Sequence, residues 1–189
     1  MYNFMVLKKK VEKELRELSN KNIRVIINPH KKRRGVHSLS FLSFRYIEFD
    51  GPIDFDNVEL KGAIAHELGH IEERHFLIEF LALIIPDLIL LAATVMFLLQ
   101  LSASINPYYV TATLFAFVIV LDLVVYTSLG RLMERRADLF AVKIVGKKSI
   151  IKVLKKVRNW KEVKIDLTHE NINSRIKRLE NLPSFSSKK

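Results

Sequence analysis

Phe4, Leu7, Val11, Leu15 and Leu18 recur at three- and four-residue steps, with charged residues filling the positions between them. That spacing predicts an amphipathic helix over residues 3–19. The polar run Ser19-Asn20-Lys21-Asn22 ends it, and the β-branched run at 23–27 (IRVII) predicts a short strand. Pro29 and Lys31-Lys32-Arg33-Arg34-Gly35 predict a basic turn. The aromatic stretch at 38–49 predicts one or two further strands, stopped by Asp50-Gly51-Pro52. Asp56 then reads as an N-cap with Glu59 in the capping-box position, and a periodic helix follows to about His75.

Beyond His75 the pattern changes. Residues 76–101 and 108–129 are long apolar segments joined by a short uncharged connector. Each is long enough to cross a hydrocarbon core about 30 Å thick, which needs roughly 20 helical residues. The connector predicts an antiparallel hairpin. A hairpin buried in a soluble core is the alternative, and it needs more surrounding chain than 189 residues provide. Asp87 and Asp122 sit at similar depth, nearer the charged ends than the middle. They read as interfacial carboxylates beside a bend at Pro86, with an active-site path as the sharper alternative. In the last part of the chain Ile150, Ile151, Val153, Leu154, Val157 and Trp160 line one face of a lysine-rich helix.

Composition sharpens this division. The chain is 49% hydrophobic yet carries a net charge of +11. Of its 31 Lys+Arg, 14 lie in residues 1–75, 17 in residues 131–189, and none in residues 76–130. Disorder and a simple soluble basic protein are excluded. The short N-terminal apolar stretch precedes its lysines, the reverse of a secretory signal. Basic flanks around an uncharged connector predict a multi-pass cell-membrane protein with both termini in the cytoplasm. The basic surface fits anionic lipid, and without a recognisable nucleic-acid module no nucleic-acid partner is expected. Cysteine is absent, so any metal is held by His, Asp or Glu.

His66-Glu67-Leu68-Gly69-His70 has the form H-E-x-x-H on the helix begun by Asp56. Two histidines at i and i+4 share a helix face and can hold one zinc ion, with Glu67 between them as general base. Gly69 leaves room for another segment to approach. Zinc in a catalytic site usually keeps three protein ligands, and Glu134 is the natural third. Asp138, one turn on, is the natural acceptor for the outer nitrogen of a ligand histidine. The plainer alternative pairs Glu134 and Asp138 with neighbouring arginines.

These motifs, in this order and split by a membrane hairpin, resemble the HtpX-like membrane zinc metalloproteases and the related type 1 CAAX prenyl proteases. Thr168-His169-Glu170-Asn171-Ile172-Asn173-Ser174-Arg175 is similar to their C-terminal His-Pro-x-x-x-x-Arg element, with Glu170 where proline is usual. The resemblance implies oxyanion stabilisation by His169 and electrostatic bracing by Arg175. It also implies a mainly α (α+β), zincin-like catalytic domain with a small sheet. Residues 1–75 and 131–189 form its two parts, and the transmembrane hairpin of residues 76–130 interrupts it. The expected function is a zinc endopeptidase with a cytoplasmic active site, cutting membrane or unfolded proteins. A zinc-site membrane sensor, or an inactive protease acting as a binding module, is the alternative.

Among the other candidates, the strand at residues 45–49 is expected to offer an edge to an extended substrate. His75 is expected at the membrane interface rather than as a metal ligand, and His30 and His37 in solvent. Trp160 is expected against a helix or at the interface.

Overall fold

The computed structural model describes residues 4–41, 43–100, 107–160 and 170–183. The elements in chain order are α1 (Phe4–Leu18), β1 (Arg24–Asn28), β2 (Gly35–Phe41), β3 (Phe44–Asp50), α2 (Asn57–Glu72), α3 (His75–Gln100), α4 (Pro107–Val145), α5 (Lys147–Arg158) and α6 (Ile172–Glu180). The fold is mostly helical with one small sheet.

Helix α2 is the centre of the fold. Its capping box is complete: the Glu59 amide donates to Asp56 Oδ1 at 2.9 Å, and the Asp56 amide donates to Glu59 Oε2 at 2.9 Å. Leu60, Ile64, Leu68 and Ile71 are buried against α1, the sheet and α5, while Ala65 packs with Ala141, Ile150 and Leu179. A helix buried on nearly all sides needs apolar residues all round, and the middle of α2 has them from Gly62 to Ala65 and at Leu68, Gly69 and Ile71. Gly62 and Gly69 let its neighbours come close. A Cβ on Gly62 would lie 2.9 Å from the Ser149 carbonyl oxygen of α5, and one on Gly69 would lie 2.7 Å from Ala137 Cα of α4.

The expected strand region at residues 38–49 is a hairpin, β2 and β3, that begins earlier, at Gly35. The sheet order is β1-β3-β2, with β1 parallel and β2 antiparallel to β3. This corrects the expected substrate edge: β3 contains residues 45–49 and is paired on both sides, so the free edge beside α2 belongs to β2. Ile47 and Phe49, on the inner face of β3, are fully buried.

The predicted helix to His75 is two helices. α2 ends at Glu72, and Arg74 takes a left-handed backbone (φ 53°) before His75 opens α3. α3 runs through Pro86 as one helix. α4 continues unbroken from the second apolar segment into the charged stretch that holds Glu134 and Asp138. Both helices are long and apolar enough to cross a membrane, and the rest of the protein leaves them uncovered. Leu88, Ile89, Leu91, Phe115, Phe117 and Val120 are each about 60% exposed. Such a surface is unfavourable in water and argues against a buried soluble hairpin. Asp87 and Asp122 lie close to each other across the two helices.

Trp160 lies in the core, stacked on Phe55 with ring centroids 5.6 Å apart. α5 buries Ile150, Val153 and Leu154. Its lysines turn back to the protein: Lys152 pairs with Asp56, Lys156 with Asp54 at 2.9 Å, and Lys155 with Glu180 at 3.6 Å. The α5 face therefore presents less free charge to a lipid surface than its sequence implies.

Candidate metal centre

The i, i+4 spacing on α2 brings His66 Nε2 and His70 Nε2 to 3.3 Å from each other. The close crossing at Gly69 and Ala137 carries Glu134 of α4 over the same spot. One carboxylate oxygen lies 3.4 Å from His66 Nε2 and the other 3.4 Å from His70 Nε2. Two imidazoles and a carboxylate are a zinc-type donor set. Tetrahedral zinc at about 2.0–2.2 Å from each donor sets its ligand atoms roughly 3.3–3.5 Å apart; the two histidine nitrogens match that spacing, each has a Glu134 oxygen at a similar distance, and one ligand atom from each residue of this triangle lies within 4.8 Å of the others. The residues fit the metal that the motif implies.

Around the triangle lies a charged shell. Asp138, fully buried, places Oδ1 3.1 Å from His66 Nδ1. Arg175 of α6 donates to Asp138 from Nε at 3.0 Å and from Nη2 at 2.6 Å, and its Nη1 lies 2.7 Å from Glu134. Arg178, one turn along α6, donates to Asp138 Oδ2 at 2.8 Å. Burial works against a charge on His66, but the nearby Asp138 and Glu134 carboxylates outweigh it and push its pKa up to about 10 in the metal-free protein. Burial likewise opposes the charge on Arg175, and Glu134 and Asp138 overcome it, holding its pKa above the usual arginine range.

The structure thus brings together His66, His70, Glu134, Asp138 and Arg175. Glu67 is buried on α2 next to His66, and its backbone carbonyl accepts from Ser38 Oγ of β2 at 3.2 Å. His169 lies outside the described residues. Glu170, which stands in the usual proline position, pairs with Arg178 and with Arg135, the latter at 3.3 Å.

Two neighbours were not read from sequence. Arg178 is three residues after Arg175, so helical spacing alone could have found it. His75 is the other: it is 3% exposed, and its Nδ1 lies 2.8 Å from His70 Nδ1. It is buried beside His70, and the cluster that could hold a metal does not include it. No local signal marked the turn at Arg74 that delivers it. His30 and His37 are exposed, as expected.

A family model described as Peptidase family M48 matches residues 37–182. The chain belongs to this family. Its HtpX-like character agrees with the three motifs and their order. Among solved structures, this M48 chain is similar to that of S. mikatae Ste24p, with a TM-score of 0.61 and 15% identity over 89% of this chain and 49% of the other. At that identity the likeness concerns the fold. The M48 chain spans about half the length of that relative. A search of the curated proteins found no match.

Proposed function

We propose that this M48 protein is an integral-membrane, zinc-dependent endopeptidase whose active site faces the cytoplasm and hydrolyses peptide bonds of membrane or unfolded proteins. The observation that carries this reading is the convergence of His66, His70 and Glu134, whose ligand atoms all lie within 4.8 Å of one another. Zinc held there supplies Lewis-acid polarisation and lowers the pKa of water. Glu67 takes the water proton as general base and returns it to the leaving amine. Asp138 keeps His66 with Nε2 turned inward, and Arg175 holds Asp138 and Glu134 in register. On the family resemblance, His169 donates a hydrogen bond to the developing oxyanion.

The edge strand β2 supports an extended substrate. It runs beside α2, tied to it at Ser38 and Glu67, and its free edge suits strand addition by a peptide. Phe41 at the end of β2 packs against Phe76 and Phe80 of α3, with ring centroids 5.8 and 6.2 Å away. That contact favours substrates that emerge close to the bilayer. The exposed apolar surfaces of α3 and α4 support insertion, and the basic flanks support a cytoplasmic site and contact with anionic lipid.

The test is digestion of an unfolded reporter by the full chain in detergent or liposomes. Glu67→Gln is expected to retain zinc and fold while losing at least about a hundredfold in rate. Unchanged cleavage, or wild-type cleavage that survives a chelator, overturns the proposal.

A further inference from the structure

His70 has two ring nitrogens facing opposite ways. Nε2 faces His66 and Glu134, and Nδ1 faces Nδ1 of His75 at 2.8 Å, with the rings nearly perpendicular at 79°. A neutral imidazole carries one proton. If the Nε2 lone pair is committed to a cation, the proton sits on Nδ1 and must be donated. Among the described residues, the polar atom that meets it is His75 Nδ1. His75 must then be neutral, with its own proton on Nε2, an atom that is buried and has no hydrogen-bond partner among the described residues.

The backbone explains how His75 reaches this position. On a continuous helix, residues five apart lie about 140° from each other around the axis, so His75 would face away from His70. The left-handed Arg74 and the break between α2 and α3 fold the chain back and bring the first residue of α3 under the site. The two histidines of the triangle are therefore backed by different acceptors: the Asp138 carboxylate for His66 and a neutral imidazole for His70.

We propose that His75 is a positioning residue of the metal centre, its Nδ1 accepting the Nδ1 proton of His70 and holding His70 with Nε2 turned toward the cation. The proposal rests on the reading that His66, His70 and Glu134 bind a divalent ion. It makes the start of the first apolar helix part of the support for that ion.

The experiment uses the full-length protein in detergent, with Co²⁺ and Zn²⁺ as probes and metal affinity measured by chelator competition. His75→Phe keeps a ring but removes the acceptor. His75→Asn keeps an acceptor, because its Oδ1 can occupy the position of Nδ1. His75→Phe is expected to weaken metal binding about 10- to 100-fold and to alter the Co²⁺ ligand-field spectrum. His75→Asn is expected to recover most of the affinity and the wild-type spectrum, and metal-free thermal midpoints are expected to stay close to wild type. Wild-type affinity in His75→Phe overturns the proposal. So do equal losses in both variants with lowered metal-free midpoints, since His75 would then be a packing residue. Failure of wild type to bind metal, with Glu134→Ala indistinguishable from it, removes the metal reading itself and the proposal with it.

Discussion

Arg175 grips the fully buried Asp138 with two nitrogens, Nε at 3.0 Å and Nη2 at 2.6 Å. The pair is the pivot between α4 and α6, and through Asp138 it reaches His66. Removing one partner of a buried ion pair leaves the other charge without compensation, at a cost of about 3–5 kcal/mol. Asp138→Ala is therefore expected to lower the thermal midpoint sharply and to weaken zinc binding. Arg175→Lys keeps the charge but not the fork, and is expected to lose part of both. Differential scanning calorimetry with and without zinc checks this, and a wild-type midpoint for Asp138→Ala would contradict it.

Gly69 carries no chemistry, yet its substitution is expected to behave like a lost ligand. A Cβ there would sit 2.7 Å from Ala137 Cα, backbone that cannot swing aside. Gly69→Ala must push α2 and α4 apart, at about 1–3 kcal/mol, and that movement carries Glu134 away from the histidines. Zinc affinity is expected to fall at least about tenfold. Chelator competition reads the change.

Zinc binding is expected to release a proton from His66. Its pKa in the metal-free protein rises to about 10 between Asp138 and Glu134, against an ordinary value near 6.5. The charged form therefore adds stability that is fully present below about pH 6.5 and fades as pH climbs through about 10. A cation needs the neutral ring, so at about pH 7.5 its binding expels roughly one proton from His66, and affinity rises with pH. Calorimetry in buffers of different ionisation heat measures the release. A value near zero would contradict the assignment of His66 as a ligand.

The absence of cysteine makes membrane topology directly testable, because one introduced thiol is unique. Asn20→Cys is expected to react with an impermeant reagent only from the cytoplasmic side, and Ser104→Cys in the connector only from the opposite side. Labelling of both from one side would rule out the hairpin as a spanning element.

Much of the site was legible in the sequence because its signals are local. Asp56 and Glu59 announce the start of α2, the i, i+4 spacing aligns His66 with His70, and Glu134 and Asp138 share a face for the same reason. The misreadings arose where long-range pairing or backbone reversal decides. β3 is central only because β1, sixteen residues before it, adds in parallel on the far side of the hairpin. The end of α2 was missed because neither Glu73 nor Arg74 is the glycine or proline that usually marks a stop. The contact of His75 with His70 was hidden by the same turn.

The unbroken course of α4 from Pro107 to Val145 makes it a ruler as well as a ligand arm. No helix break intervenes between the exposed apolar stretch and the turn bearing Glu134, so the position and angular phase of that carboxylate are set by counting residues. One residue inserted after Leu129 would raise Glu134 by about 1.5 Å and swing it about 100° off the histidines, whereas seven would return it nearly to phase, about 10 Å farther along. The length of a single helix therefore sets the distance between the proposed metal centre and the apolar surface of the hairpin.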